Sequence, residues 1–253
     1  MSSSTYDVII VGAGPAGIFA ALELSKTPGL KIVVLDKGRD IDNRNCPIRA
    51  GSPECRHCKP CAILDGWGGA GAFSDGKLTL SPDVGGHLAE ILGEGRAAEL
   101  IAEVDGVYRT YGAPDTVHGT FTDEIELLAK RASLASLQFI SVPIRHMGTE
   151  RCVSIMRGMR DTLIERGVEI KMRTPVAEIL TENGAVSGVR TESGEVLEAP
   201  SVIVAPGREG AGWLEQTSKA LGLSLARNPV DLGVRVELPA AVLEPITDLV
   251  YES

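Results

Sequence analysis

No stretch of this 253-residue chain is long and apolar enough to span a bilayer. The first apolar segment, Val8 to Val11, runs out in glycines after four residues, and no basic segment precedes it. It therefore reads as a strand and not as a secretion signal, and a cytoplasmic location is expected. A surplus of positive charge is also missing. The chain carries 34 acidic and 25 basic residues, a formal net charge of −9. A surface that tracks phosphates needs clustered Lys and Arg, so no nucleic-acid partner is expected. Internal repeats and low-complexity tracts are absent too. What remains is a 43% hydrophobic composition, enough to bury a core in one large domain, or in one domain and part of another.

The first forty residues carry the strongest pattern. Tyr6-Asp7-Val8-Ile9-Ile10-Val11 is a short apolar run rich in β-branched residues, as a buried parallel strand requires. It leads into Gly12-Ala13-Gly14-Pro15-Ala16-Gly17. A helix is predicted from about Ala16 to Ser25, stopped by Thr27-Pro28-Gly29, followed by a second strand, Lys31 to Leu35, that ends at Asp36. Gly12 permits the tight turn, Gly14 lets backbone approach a pyrophosphate, and Gly17 lets the helix pack on the sheet. The helix N-terminus supplies unpaired N–H groups and a positive dipole end. Asp36 lies 24 residues after Gly12, where a carboxylate can accept hydrogen bonds from ribose hydroxyls. This is a dinucleotide-binding βαβ unit, and its spacing alone does not separate FAD from NAD.

Two further segments follow. Cys46-Pro47 precedes Cys55-Arg56-His57-Cys58-Lys59-Pro60-Cys61, so four of the five cysteines crowd into sixteen positions. Such a set has enough thiolates for a [4Fe–4S] cluster or a four-coordinate zinc, although a ferredoxin run places its Cys-Pro last and here it comes first. The same residues also suit a redox dithiol, since Arg56, His57 and Lys59 favour thiolate, or a set of plain reduced thiols. Next comes Gly66-Trp67-Gly68-Gly69-Ala70-Gly71-Ala72-Phe73-Ser74-Asp75-Gly76-Lys77. Its glycines expose backbone that can lie against a flat ring or a phosphate, while Trp67 and Phe73 argue for packing.

The cysteine segment and this loop together resemble a bacterial family of uncharacterised FAD-dependent dehydrogenases, in which a cysteine-rich stretch precedes a G-x-G-G-A-G-A-F-S-D-G-K loop. Arg145-His146-Met147-Gly148-Thr149-Glu150, Ala205-Pro206-Gly207 and Asp231-Leu232-Gly233-Val234-Arg235-Val236-Glu237 resemble the same family. Asp36-Lys37-Gly38-Arg39 is similar to the acid–basic–glycine ending of the FAD-binding unit in glutathione-reductase-like flavoproteins. The resemblance implies an FAD/NAD(P)-binding Rossmann-like α/β fold, in three layers with a β-meander and a helical insertion. It implies FAD held by Gly12, Gly14, Pro15, Ala16, Gly17, Asp36, Lys37 and Gly38, with Gly68 to Ser74 beside the pyrophosphate or ring. Lys77 becomes a partner for an anionic group, Val176 a backbone contact to adenine, and Ala205-Pro206-Gly207 a second nucleotide-contacting turn. The implied activity is oxidation of a small molecule with hydride transfer through flavin N5 and NAD(P)H as a candidate electron donor.

Helical periodicity fills residues 86–135, in two or three helices broken at Gly93-Glu94-Gly95 and Gly112-Ala113-Pro114-Asp115. Another helix is predicted over 151–167, where Met156 and Met159 read as core. A strand is expected from Lys171 to Leu180, then a meander around Asn183-Gly184 and Ser193-Gly194, then the strand Ser201 to Val204. These elements suggest a discontinuous nucleotide domain over 1–82 and 165–215, an inserted helical region over 83–164, and the start of a substrate domain over 216–253, where the sequence after Pro229-Val230-Asp231 resembles the first strand of such a domain. His146 and Arg235 are the candidates for catalysis; a histidine titrates near neutrality and can move a proton. Flavoproteins of the resembled type return to a C-terminal Gly-Asp element that closes over the flavin, and none is found here, so a truncated chain is expected. Two alternatives stay open: an electron-relay or non-catalytic flavoprotein with a cysteine-ligated metal or Fe–S centre, and an NAD(P)-binding protein without flavin.

Overall fold

A computed structural model describes residues 4–140, 142–226 and 232–250. In chain order its strands are β1 (Ser4–Thr5), β2 (Val8–Val11), β3 (Ile32–Asp36), β4 (Lys77–Thr79), β5 (Ile144–His146), β6 (Glu169–Met172), β7 (Val176–Glu182), β8 (Ala185–Thr191), β9 (Val196–Glu198) and β10 (Ser201–Val204). The helices are α1 (Pro15–Leu24), α2 (Leu88–Leu92), α3 (Glu94–Thr110), α4 (Asp123–Leu134), α5 (Thr149–Glu165), α6 (Ala211–Ala220) and α7 (Ala240–Val250). The chain divides into two compact units, 1–74 with 152–227, and 75–151 with 228–253.

The first unit is built on a four-stranded parallel sheet in the order β10-β2-β3-β6. Its central strands, β2 and β3, are short and almost wholly apolar because both their faces are covered, while the edge strand β6 carries Glu169 and Lys171. Successive side chains leave a strand on opposite sides, so Ile9, Val11, Val33 and Leu35 share one face. They pack with Val176, Val189 and Leu197 from the second sheet, β1-β9-β8-β7, whose β7-β8-β9 part is an antiparallel meander. Ile10 points the other way, to within van der Waals reach of Gly17 on α1. α1 buries Ile18, Ala21 and Leu22, and α5 buries Ile155, Met156, Met159 and Leu163. The helix, sheet and meander layers are those of a Rossmann-like α/β unit.

Two expectations change. The strand expected from Lys171 to Leu180 is two strands. β6 ends at Met172, and a turn through Arg173 and Thr174 sends β7 into the meander. Arg173 has φ 57°, and its N–H and that of Thr174 donate to the Gly38 and Asp36 carbonyls at 2.8 Å each. Pro175 cannot donate to a ladder, which ends one sheet and begins the other there. The strand expected at the start of a substrate domain is also not found. Pro229, Val230 and Asp231 lie outside the described residues, and Leu232 to Pro239 form no strand before α7 begins. A lone extended segment without a neighbouring strand leaves its backbone groups unpaired, so no ladder stabilises it.

The second unit holds the two-stranded antiparallel sheet of β4 with β5, and the helices α2, α3, α4 and α7. The two or three helices predicted over residues 86–135 are three: α2, α3 and α4. Thr122 caps α4 by accepting the Ile125 N–H, and Arg145 is buried against Asp105, with bonds of 2.5 and 2.7 Å. Among the described residues no helix is long and apolar enough to cross a membrane.

Trp67 is the largest fully buried side chain of the first unit, and its indole N–H donates to the Met156 carbonyl at 2.7 Å. Replacing it with Ala should cost about 3–5 kcal/mol of unfolding free energy, the usual penalty for emptying a large aromatic site. Trp67→Phe should cost less, because only the hydrogen bond and part of the volume are lost. Denaturant titration of both variants checks the order.

Candidate functional site

A cavity of about 760 Å3 lies in the first unit at the carboxyl ends of β2, β3 and β10. Ligands of open α/β sheets bind at that edge, and the volume falls within the range of roughly 300–1,000 Å3 typical of ligand clefts. Gly12, Gly14 and Pro15 form one wall, and Asp36 and Lys37 at the end of β3 form another. Gly69, Ala70, Gly71 and Ser74 close the side formed by the glycine loop. Val176 at the start of β7, Ala205-Pro206-Gly207 after β10, and Trp213 on α6 complete the lining.

The first glycine turn has its shape for local reasons. Gly12 has φ 108°, and a Cβ there would stand 2.1 Å from the Ala205 carbonyl oxygen. A Cβ on Gly17 would stand 1.9 Å from the Gly12 oxygen. The chain itself requires both glycines. Asp36 secures the turn from the next strand, taking the Ala13 N–H on one carboxylate oxygen at 2.8 Å and the Gly38 N–H on the other at 2.7 Å. A carboxylate offers about four acceptor positions, so these two bonds leave capacity for hydroxyl donors. Pro15 opens α1, whose first-turn N–H groups lack helical partners and face the cavity end.

The opposite wall hangs on Arg44. This side chain is only 5% exposed and donates to four carbonyls: Ala62 at 3.0 Å, Ile63 at 2.6 Å, Trp67 at 2.6 Å and Gly69 at 2.8 Å. Its guanidinium also lies over the Phe73 ring, 4.6 Å from the centroid. Burial pushes Arg44 down to about 10, against the opposing pull of Asp36, Asp65 and Cys61, so it stays charged at neutral pH. Asp65 is buried, takes the Cys61 N–H at 2.7 Å and pairs with Lys37 at 3.2 Å. The glycine loop is thereby packed, with Gly68 N–H donating to the Ala13 carbonyl at 2.8 Å and Gly69 to Phe73 wound into one 3-10 helix.

The structure thus brings Gly12, Gly14, Pro15, Asp36, Lys37, Gly69, Ala70, Gly71, Ser74, Val176, Ala205, Pro206 and Gly207 to one cavity. Other predicted residues serve behind it. Gly38 abuts Gly66, a Cβ on Gly68 would crowd Ala72 and Met156, and Phe73 stacks under Arg44 and Arg49. Ala16 and Gly17 sit in the first turn of α1. Lys77 and His146 are register partners in the β4–β5 antiparallel pair of the second unit, where Lys77 pairs with Asp75 at 3.6 Å. Arg235, also in that unit, is exposed and pairs with Glu237 at 3.0 Å. Arg44 and Asp65 were not foreseen, because an arginine and an aspartate in irregular segments carry no periodic or spacing signal.

The cysteines depart from the metal expectation. Among the described residues no three His, Cys, Asp or Glu side chains gather into a group that could hold a metal ion. Cys46, Cys55, Cys58 and Cys61 are therefore not assembled as a ligand set. Cys55 and Cys58 are exposed to solvent, while Cys46 and Cys61 are half-buried near the backbone that Arg44 gathers inward.

Comparison with known proteins agrees on the fold. The sequence model of the Thi4 family matches residues 2–41, the βαβ unit. An uncharacterized protein of Clostridium beijerinckii is 24% identical over 235 residues, covering 93% of this chain and 37% of that protein. Glycine oxidase from Geobacillus kaustophilus superposes with a TM-score of 0.50 at 16% identity, over 88% of this chain and 60% of its own. The 3-ketosteroid-delta4-(5alpha)-dehydrogenase of Rhodococcus jostii gives 0.50 at 16% identity, over 81% and 46%. The chain spans less than two thirds of each of these proteins, and it has the FAD/NAD(P)-binding Rossmann-like α/β fold.

Arg44→Lys tests the carbonyl clamp. A single ammonium cannot reach four carbonyls spread along two backbone segments as a planar guanidinium does. The substitution should cost about 1.5–3 kcal/mol, the worth of one or two charged hydrogen bonds. Denaturant unfolding gives the magnitude, and limited proteolysis should then cut within residues 62–74.

Proposed function

We propose that the first unit holds FAD through its ADP half and that the chain is the cofactor-binding part of a FAD-dependent oxidoreductase, acting as a dehydrogenase on a small molecule. The observation that carries this reading is Gly14. Its backbone, at φ −77° and ψ 179°, is an ordinary extended conformation, and a Cβ added there would meet nothing within 4 Å. Nothing in the polypeptide requires glycine at that position. A side chain would instead project into the space that a closely approaching pyrophosphate needs. The residues present fit the group.

The α1 N-terminus and Gly14 would hold the pyrophosphate by N–H donation and dipole. Asp36 would accept the ribose hydroxyls on its remaining lone pairs. Val176 and Trp213 would flank the adenine side, and Gly69 to Ser74 would lie along the pyrophosphate toward the ring. FAD supplies the redox chemistry, a ring that accepts two electrons from a substrate, while the chain supplies position and electrostatics. The Thi4 match over residues 2–41 and the fold shared with an oxidase and a dehydrogenase support the reading. The likeness of the glycine loop to FAD-dependent dehydrogenases favours FAD over NAD(P) alone, with NAD(P)H left as a candidate electron donor.

The protein purified from cells should be yellow, with bands near about 370 and 450 nm that belong to the flavin. A colourless protein that binds NAD(P) but takes up no added FAD would sink the reading. Gly14→Ala separates site from scaffold. It should leave the melting temperature within about a degree, since the methyl meets no protein atom, yet weaken ADP and FAD binding by about tenfold or more, or ~1.4 kcal/mol. Gly17→Ala should instead destabilise the fold by about 1–3 kcal/mol through overpacking.

A further inference from the structure

The cysteine segment has no role in the cofactor site, yet it adjoins that site's wall. Cys58 is exposed, and Cys61, three residues on, is half-buried, with Lys59 and Pro60 between them. Cys61 is bound into the cavity wall on both sides of its backbone. Its N–H donates to the Asp65 carboxylate at 2.7 Å, and its carbonyl accepts the Leu64 and Asp65 N–H groups at 3.2 and 2.8 Å. Leu64 and Asp65 both line the cavity, and Asp65 pairs with Lys37 beside Asp36. Cys55 has no such tie; its Sγ accepts the His57 N–H at 3.4 Å on the exposed side of the segment. Cys152 is buried on α5.

This arrangement has the elements of a thiol–disulfide couple. An exposed thiol can be reached by an external disulfide, and a second thiol three residues away can resolve the mixed disulfide. Pro60 fixes one backbone angle of the intervening dipeptide, which reduces the freedom lost on closing a small ring. Arg56 and Lys59 flank Cys58 on the exposed face, so an approaching disulfide that carries carboxylates is favoured electrostatically.

We propose that Cys58 and Cys61 form a reversible dithiol–disulfide pair that exchanges with an anionic low-molecular-weight disulfide and, through the turn from Cys61 to Asp65, changes the affinity of the neighbouring cavity for its nucleotide. The first half stands on the thiols alone, and the second rests on the nucleotide-site reading above. The exchange balances in two steps. The Cys58 thiolate attacks one sulfur of the external disulfide, forming a mixed disulfide and releasing one thiolate. The Cys61 thiolate then attacks the Cys58 sulfur, forming the Cys58–Cys61 bond and releasing the second thiolate. The two protein thiols lose their protons to solvent, and the two released thiolates take them up. The protein pair is oxidised by two electrons and the external disulfide is reduced to two thiols. The new bond pulls on the Cys61 backbone, and with it on the Asp65 carboxylate and the Lys37 pair that shape one wall.

The test treats the reduced protein with glutathione disulfide, and in parallel with uncharged hydroxyethyl disulfide, then alkylates and maps thiols by peptide mass spectrometry. Two of the five thiols should disappear, at Cys58 and Cys61, faster with the charged reagent, and return with dithiothreitol. ADP affinity, measured calorimetrically on reduced and oxidised protein, should change several-fold. That change should vanish in Cys58→Ser and Cys61→Ser. A bridge mapped to Cys55–Cys58, a stable mixed disulfide, or no loss of thiols overturns the pair. A Cys58–Cys61 bridge with unchanged ADP affinity overturns the coupling. Failure of the reduced protein to bind ADP at all would overturn the nucleotide-site reading and the coupling with it, while the thiol map still decides the pair.

Discussion

The cavity wall opposite the first glycine turn depends on one buried cation. Arg44 brings together carbonyls from residues 62 and 63 and from residues 67 and 69, two stretches of backbone with no strand or α-helix to hold them. A loop rich in glycine pays a large entropic cost when ordered, and carbonyls buried without donors would add to it. A guanidinium with five N–H groups in a planar fork answers both, because it satisfies several acceptors from one side chain that packing on Phe73 already orients. A buried charge is itself costly unless it is fully hydrogen-bonded. The four carbonyls meet that condition, and the Asp36 and Asp65 carboxylates nearby supply the compensating field. The glycine loop is therefore held in shape by the protein, and a bound group would not have to order it.

That dependence explains why the fold was legible and this wall was not. The βαβ unit is written in local rules: β-branched runs for buried strands, glycines at a turn, a proline at the first helical position, an acid after the second strand. Each was read within one or two residues of its observed bounds. The meander was legible for the same reason, since Asn183-Gly184 and Ser193-Gly194 mark its turns and β7, β8 and β9 lie around them. The break at Arg173-Thr174 was missed because the apolar residues on either side read as one strand; Pro175 was the local signal against it, and the pairing of β6 with β3 ends at Met172. Arg44, Asp65 and the Trp67–Met156 bond act between segments far apart in sequence or irregular in backbone, where no period exists to be counted. Metal ligation was an expectation of spacing alone, and spacing does not bring three or more thiols to one point.

The three glycines of the first turn answer different demands, and the structure separates them where the motif lumps them. Gly12 and Gly17 are glycines because the protein's own backbone stands in the way: a Cβ on either would meet a carbonyl oxygen near 2 Å, and Gly12 also needs its positive φ. A chain could keep both for the sake of the strand–helix junction and bind nothing. Gly14 is different, since neither its conformation nor its neighbours exclude a side chain. What sets Gly14 apart is its place: it lines the cavity, so the absent side chain leaves room there for a group that comes close. The space above Gly14 is bounded by Asp36, by the α1 N-terminus and by the loop that Arg44 holds, so the approaching group meets hydroxyl acceptors, N–H donors and exposed backbone together. Those are the needs of the proposed dinucleotide, and Gly14 bears on it more directly than the motif as a whole, since the chain itself accounts for Gly12 and Gly17.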